Sequence, residues 1–196
     1  HSLGEQNKNV KNKKDNADGP ELMKRTVSEI FDIPIHYFIR VDFQGFVKIV
    51  NSLGGVTIDV PENLNDPLYP DKQLIGYEPL FIKAGTQKMT GELALKYARS
   101  RQTTSDFARA KRQQQIISAI KDKAMNLNYL SYPQKINQLI SAVGEHVRTD
   151  MQLKEIQRLL EIVKDIPSDK IISYVLDNSA TGLLTNYNEG GYYLIP

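Results

Sequence analysis

One stretch of the chain, residues 90–115, concentrates the side chains that could do chemistry. Its sequence, TGELALKYARSRQTTSDFARAKRQQQ, holds six cations against two carboxylates, Glu92 and Asp106, whereas the whole chain carries a net charge of only +2. Four of the six cations are arginines, whose planar guanidinium group can grip a phosphate or carboxylate through two parallel hydrogen bonds. The stretch is therefore a candidate anion site. Its cations are Lys96, Arg99, Arg101, Arg109, Lys111 and Arg112.

The spacing within this stretch predicts two helices joined by a loop. Thr90 can cap the first helix, whose apolar residues recur at helical spacing, and Ser105 or Asp106 can cap the second. Arg99 and Arg101 follow at the end of the first helix. Since they are two residues apart, they share one side of the chain only where the backbone is extended.

The second helix adds further polar side chains that could bind the same anion. Arg109, Arg112 and Gln113 fall at positions i, i+3 and i+4 on one predicted face. They lie in the first two turns, where free backbone N–H groups and the helix dipole also favour an anion. Two elements would then converge on one phosphate. The residues leave a second interpretation open, a solvated charged face on which Asp106 offsets Arg109.

Longer motifs surround the arginines. ALKYARSR is followed by SDFARAKRQQQ, and before them stand GPELMKRTVSEIFDIPIHYFIRVDFQGFVKIVNSLGGVTIDVPE and AGTQKMTGE. After them come YVLDNSATGLL and GGYYLIP. In this order and spacing the motifs resemble the LytR–CpsA–Psr family of bacterial cell-wall enzymes, over nearly the whole chain except its polar start.

The resemblance implies a phosphotransferase. The family moves a glycopolymer from an undecaprenyl-pyrophosphate carrier to a wall acceptor, typically peptidoglycan. An acceptor hydroxyl attacks the phosphorus that carries the sugar, and polyprenyl phosphate leaves. Such a reaction needs positive charge around the phosphoryl and leaving oxygens. The resemblance also implies an apolar pocket for the polyprenyl tail and a location on the extracellular face of the cytoplasmic membrane, with an anchor upstream of this chain.

The resemblance also assigns roles to individual residues. Arg99 and Arg101 match the family's paired arginines and are the expected catalytic residues, with Arg99 on the pyrophosphate and Arg101 on the charge of the transition state. Arg109 and Gln113 are expected to bind the pyrophosphate, and Arg112 is a weaker match for the same role.

A magnesium ion is the cofactor that the resemblance implies. The family's Mg²⁺ ligands are carboxylates on opening strands that precede anything in this chain, so we expect the ligands upstream and about the first third of the family's domain to be missing. We assign the role of Mg²⁺ ligand to no acidic residue of this chain. Asp106 is expected to cap a helix and orient Arg109, while Asp42 and Asp59 are explained by capping and turns.

Several other functions are disfavoured by the sequence. The chain has no cysteine, and its three histidines form no metal-ligand pattern. A nucleic-acid partner is not expected, because the net charge is low and aromatic residues are not interleaved with the basic cluster. No apolar run approaches the ~18–20 residues of a membrane helix. The alternative that we keep is a non-catalytic module that binds polyprenyl phosphate.

The elements around the arginines predict an α/β fold, a three-layer α/β/α sandwich with a mixed central sheet. Residues 1–19 are expected to be a polar loop or disordered, and residues 20–196 the LytR–CpsA–Psr-like domain. Strand 35–41, a helix and strand 56–60 suggest a βαβ unit with parallel strands. Apolar stripes, such as the one within residues 22–31, are assigned to the core by default. Further expected elements are a loop over residues 61–80, strands 80–83, 171–176 and 192–195, a helix from Pro133, and a helix capped by Thr149 or Asp150.

Overall fold

A computed structural model describes most of the chain between residues 18 and 195. The described residues are 18–71, 75–101, 105–126, 134, 141–164, 166, 170–172, 174–178, 182, 184–187 and 193–195. Their helices are α1 (Asp18–Phe31), α2 (Phe43–Ser52), α3 (Gly91–Arg99), α4 (Asp106–Asn126) and α5 (Leu153–Lys164), with a 3-10 turn at Gly144–His146. Their strands are β1 (Ile39–Val41), β2 (Val56–Val60), β3 (Leu64–Asp66), β4 (Leu80–Ile82), β5 (Gly85–Met89), β6 (Val147–Thr149), β7 (Thr185–Tyr187) and β8 (Tyr193–Ile195).

This mixture of helices and strands confirms the α/β class. The described strands form antiparallel pairs, β1 with β6, β2 with β5, β3 with β4, and β7 with β8. The predicted parallel pairing within a βαβ unit is therefore wrong, since the strands on either side of α2 pair with different partners. The sequence did not reveal the partner of β2, because β5 (GTQKM) has a single apolar residue and lies mostly exposed.

Other predicted elements differ from the structure in position. The stretch expected to be a loop, residues 61–80, contains β3, and residues 171, 172 and 174–176 form no strand. The expected strand at 192–195 is present as β8. The helix predicted from Pro133 falls mostly outside the described residues, as do residues 1–17 of the polar start.

Helix ends follow the local chemistry in most cases. Asp42 caps α2, since its Oδ1 accepts the backbone N–H of Gly45 at 2.8 Å. Thr90 caps α3 in the same way, accepting from Leu93 at 3.3 Å. After α2 the chain turns through Gly54, whose φ of +74° suits a residue without a side chain.

The start of α5 corrects the predicted cap. The helix begins at Leu153, and the preceding Gln152 donates its N–H to a carboxylate oxygen of Glu155 at 2.6 Å. Asp150, one of the two expected caps, instead accepts the N–H of Phe38 at 2.9 Å and pairs with Lys24 of α1 at 2.8 Å. It therefore ties three segments together.

The apolar core lies around the β2–β5 pair. Helices α2 and α3 pack against each other, and α4 packs on both α3 and β2. The core includes Val50, Val56, Ile58, Val60, Met89, Ala94, Tyr97 and Ile116. The stripe of α1 is not part of it. Four of its apolar residues are exposed by about half or more, so the prediction that they belong to the core is wrong. These are Leu22, Met23, Ile30 and Phe31.

Candidate anion-binding site

The first half of the site is the end of α3. Arg99 is the last residue of the helix, and Ser100 after it is extended, with φ −56° and ψ 137°. This is the backbone that the spacing of the two arginines required, so Arg99 and Arg101 can face the same side of the chain. Ser100 itself is 1% exposed, which places the residue between the arginines inside the protein.

An aromatic ring holds the first arginine. The guanidinium carbon of Arg99 lies 4.5 Å from the centroid of the Phe43 ring at the start of α2. A cation over a ring face is stabilised electrostatically by about 0.5–1 kcal/mol at an exposed site. The stacking restricts a long side chain that would otherwise sample many rotamers, while its N–H groups remain able to bind an anion.

The second half of the site is the start of α4. The hydroxyl of Ser105 accepts the N–H of Ala108 at 3.1 Å, so Ser105, rather than Asp106, is the cap. Arg109 and Gln113 lie four residues apart on one face of this helix. The amide of Gln113 also donates to the carbonyl of Ala98 at 3.4 Å, which links the two halves.

Both halves open onto one cavity of about 390 Å³. Four of the predicted site residues line it: Arg99, Arg101, Arg109 and Gln113. The structure therefore brings together three guanidinium groups and an amide from two consecutive helices and the segment that follows the first. The remaining lining residues are Phe43, Asp66, Leu68, Tyr69 and Pro70.

Asp106 partly balances the arginine charge. Its Oδ1 lies 3.2 Å from Nη2 of Arg101 and 3.4 Å from Nη1 of Arg109. The Asp106 side chain is 59% exposed, and ion pairs of this kind contribute little in water. The pairing is what a solvated charged face predicts, but such a face does not require a shared cavity. An anion can displace these weak contacts.

Arg112 lies elsewhere, and its predicted role in pyrophosphate binding is corrected. Successive helical residues differ by ~100°, so Gln113 falls about 40° from Arg109 on one side and Arg112 about 60° on the other. Arg112 is 6% exposed and lines a different cavity, of about 210 Å³. Its Nε donates to the carbonyl of Tyr97 at 3.0 Å, and its Nη2 donates to the carbonyl of Ser100.

The burial of Arg112 has an electrostatic consequence. Removal from water lowers the pKa of this guanidinium, because burial penalises its charged form. The two carbonyls and the Tyr97 ring, whose centroid is 5.8 Å from the guanidinium carbon, partly replace water. Arg112 is thus a structural cation that joins α4 to the end of α3.

Sequence reasoning missed five lining residues, among them Phe43, Asp66 and Tyr69. Phe43 directly follows the helix cap, where an aromatic residue gives no signal of its own. Asp66 and Tyr69 lie in the stretch assigned to a loop, although Leu64 and Asp66 do show the alternation of a short strand. Tyr69 is 5% exposed, and burial raises the pKa of its phenol, so the phenol stays neutral at physiological pH.

The described residues contain neither a metal-ligand cluster nor a helix suited to cross a membrane. Within the described ranges, no three His, Cys, Asp or Glu side chains converge as a metal ion would require. None of the described helices combines the length and the apolar character that crossing a membrane demands.

Comparisons with known proteins agree on one family. The profile of the LytR_cpsA_psr family matches residues 2–196. The polyisoprenyl-teichoic acid–peptidoglycan teichoic acid transferase TagV of Bacillus subtilis is 30% identical over 180 residues, which are 91% of this chain and 44% of that protein. The chain thus spans less than half the length of this curated relative.

Solved structures show the same relationship. The crystal structure of B. subtilis TagV is similar with a TM-score of 0.65 at 29% identity, over 90% of this chain and 63% of that one. A structure of TagT bound to LI-WTA has a TM-score of 0.61 at 27% identity, over 91% of this chain and 61% of that one.

Proposed function

Because the chain belongs to the LytR–CpsA–Psr family, we propose that it is part of an enzyme that transfers a glycopolymer from an undecaprenyl-pyrophosphate carrier to a cell-wall acceptor such as peptidoglycan. The observation that carries the proposal is the single cavity shared by Arg99, Arg101, Arg109 and Gln113. The names of the relatives, transferases that join teichoic acid to peptidoglycan, support the same class of reaction.

The proposed reaction is a phosphoryl transfer. An acceptor hydroxyl attacks the phosphorus that bears the sugar, a new P–O bond forms, and the hydroxyl proton is released. The bridging P–O bond breaks, and its electron pair leaves with polyprenyl phosphate. The protein contributes little covalent chemistry to such a reaction. The rate depends on the positioning of the reacting groups and on the charge around them.

The cavity residues take their roles from position. Arg99 and Arg109, on two helices, hold the diphosphate from two sides, and the Gln113 amide adds a neutral donor. Arg101 also contacts the diphosphate and faces the charge that develops on it in the transition state. A guanidinium does not titrate near neutral pH, so the positive charge is constant. Arg112 holds the backbone beneath them and does not touch the substrate.

Location and cofactor follow from the same proposal. An enzyme that joins a lipid-linked polymer to peptidoglycan works at the cell envelope, on the extracellular face of the membrane and with an anchor outside this chain. Mg²⁺ would add charge at the diphosphate, with ligands outside the residues described.

A second candidate is a non-catalytic module that binds polyprenyl phosphate. Binding needs only the cationic cavity of Arg99, Arg101 and Arg109, which this candidate shares with the enzyme. Turnover distinguishes the two functions, since a binding module retains the lipid phosphate without releasing a transferred polymer.

The test is transfer by the complete protein from a lipid-linked pyrophosphate donor to peptidoglycan. Arg99→Ala should lower kcat/KM at least about tenfold, or ~1.4 kcal/mol, because a charge contact with the transferring group is lost. Arg25→Ala, which removes an exposed arginine of α1, is the matched control and should change little. Turnover by Arg99→Ala within about twofold of the wild type would contradict the proposal.

A further inference from the structure

A buried carboxylate lies beneath the arginine cavity. Asp66 is the last residue of β3, is 1% exposed and lines the cavity. A charged group is costly to bury unless nearby donors replace water, so its surroundings need an explanation. Neither the sequence motifs nor the proposed reaction uses it.

Its contacts lead to the turn from α3 into the extended segment Ser100–Arg101. Oδ2 of Asp66 accepts the hydroxyl of Ser100 at 2.7 Å and the backbone N–H of Arg101 at 3.3 Å. The other oxygen, Oδ1, is buried and has no hydrogen-bond partner among the described residues. The carboxylate therefore directs its hydrogen bonding to two consecutive residues of one turn.

The same segment is also held by a buried cation. Arg112 donates to the carbonyl of Ser100, while the Ser100 hydroxyl donates to Asp66. A buried cation and a buried anion from different elements thus fix the residue between Arg99 and Arg101. The Phe43 ring restrains the Arg99 side chain further. Arg101 is exposed, and its backbone N–H contacts the interior by donating to Asp66.

We propose that Asp66 is a positioning residue for Arg101. By fixing the backbone at Ser100 and Arg101, it directs the Arg101 guanidinium into the cavity, where it meets a diphosphate group. The inference rests on the proposed function, because it assumes that the cavity binds a diphosphate. A fixed backbone lowers the entropy lost when a flexible side chain binds, and so strengthens binding without touching the ligand.

The experiment measures binding of inorganic pyrophosphate by calorimetry. Asp66→Ala removes both hydrogen bonds and should weaken binding about fivefold or more. Asp66→Asn keeps an oxygen that can accept the same two donors, so binding should stay within about threefold of the wild type. An equal loss in both variants would mean that the two hydrogen bonds which Asn retains do not position Arg101, and would overturn a positioning role.

A double-mutant cycle separates positioning from general damage. If Asp66 acts through Arg101, then adding Asp66→Ala to Arg101→Ala should weaken binding by no more than about twofold. The same fivefold loss in that background would overturn the proposal, as would Asp66→Ala binding like the wild type. Leu64→Val, on the same strand and also facing inward, is the control for damage to β3.

Further results separate the positioning role from misfolding and from the proposed function itself. If Asp66→Ala does not fold, as judged by loss of a cooperative thermal transition, Ser100→Ala takes its place in the cycle, since it removes one of the two contacts. If Arg101→Ala itself leaves binding unchanged, Arg101 takes no part in the proposed arginine grip, and the positioning inference fails. If Arg101→Ala weakens binding but Asp66→Ala does not, only the inference fails.

Discussion

At the scale of single residues, two arginines of similar sequence context do different work. Arg109 lies one helical turn from Gln113 and opens onto the cavity, whereas Arg112 is buried against the carbonyls of Tyr97 and Ser100. One is available to an anion and the other replaces water around the protein's own backbone. Charge alone does not separate these roles, but burial does.

This difference predicts unequal effects of the same substitution on stability. Arg112→Met keeps the apolar stem but leaves two buried carbonyls without their donor, so the free energy of unfolding should fall by about 2–3 kcal/mol. Arg109→Met removes only an exposed pairing with Asp106, so stability should change by less than about 1 kcal/mol. Urea unfolding of both variants measures this. Equal stability of the two would contradict the structural role of Arg112.

Residue types could be predicted from the sequence, but side-chain direction only in part. The extended backbone at Ser100 followed from the spacing of the arginines, and Arg109 and Gln113 were placed together correctly. Arg112 was misassigned because a sequence pattern places residues three apart on one broad helix face. In the structure, the Arg112 side chain instead turns toward α3. The Asp66 contact joins residues 34 apart, which no local pattern reports.

At the scale of elements, the pairing of α2 with α3 builds the site. Phe43 begins α2 and Arg99 ends α3, and these ends meet because the helices run in opposite directions. The other ends are joined by Asn51, whose side-chain oxygen accepts the N–H of Gly91 at 2.8 Å. A Cβ at Gly91 would come within 2.8 Å of the backbone Cα of Val47.

Gly91→Ala is therefore expected to separate the two helices. The clash is with backbone, which cannot rotate away, so the free energy of unfolding should fall by about 1–3 kcal/mol. Gly19→Ala in α1 is the control, because nothing lies within 4 Å of the position that its added methyl group would take, and stability should not fall. Chemical denaturation of the two variants gives the comparison. A Gly91→Ala protein as stable as Gly19→Ala would show that the close approach is not required.

The contacts that Asp150 makes with Lys24 of α1 and with Phe38 predict that the stability of the fold depends on pH. Lys24 and the N–H of Phe38 lower the pKa of Asp150, since both stabilise its charged form. A carboxylate with a lowered pKa stabilises the fold fully above its ordinary value of about 3.9, and this contribution is lost as pH falls through the folded-state value. The Tm difference between the wild type and Asp150→Asn should thus be constant from pH 7 to about pH 5 and shrink below about pH 4.

The control for this measurement is Glu29→Gln, which neutralises an exposed carboxylate on α1. Its Tm difference from the wild type should be small throughout the same pH range. If the Asp150→Asn difference persisted unchanged at pH 3, loss of charge would not be its cause, and the contribution of the Lys24 pairing would be refuted.

Helices were easier to predict than strands for a physical reason. Caps at Asp42 and Thr90 and the turn at Gly54 are set by neighbouring atoms, so the sequence locates them. Strand partners are chosen over long separations, and β5 was missed because its exposed polar residues carry no apolar alternation. The predicted βαβ pairing was wrong because short connections make two strands consecutive in the chain but do not require them to lie in one sheet.

At the scale of the whole molecule, the described residues fall into regions of different burial. The core around β2 and β5 supports α3 and α4 and therefore the cavity. In contrast, apolar residues of α1, β1 and α5 are largely exposed, among them Ile30 at 69% and Ile39 at 63%. A helical stripe predicts which face is apolar, but it does not say what covers that face.

Three arginines and a glutamine, from two helices and the segment that follows the first, are proposed to hold one diphosphate in the cavity. The most direct test of this grip is calorimetric titration of the chain with inorganic pyrophosphate. Arg99→Ala, Arg101→Ala and Arg109→Ala should each raise the Kd about tenfold or more, since each removes a charge-assisted hydrogen bond of about 1.5–3 kcal/mol. Arg25→Ala should bind like the wild type. Three cavity variants that all bind within about twofold of the wild type, or an equal loss in Arg25→Ala, would contradict the proposed grip.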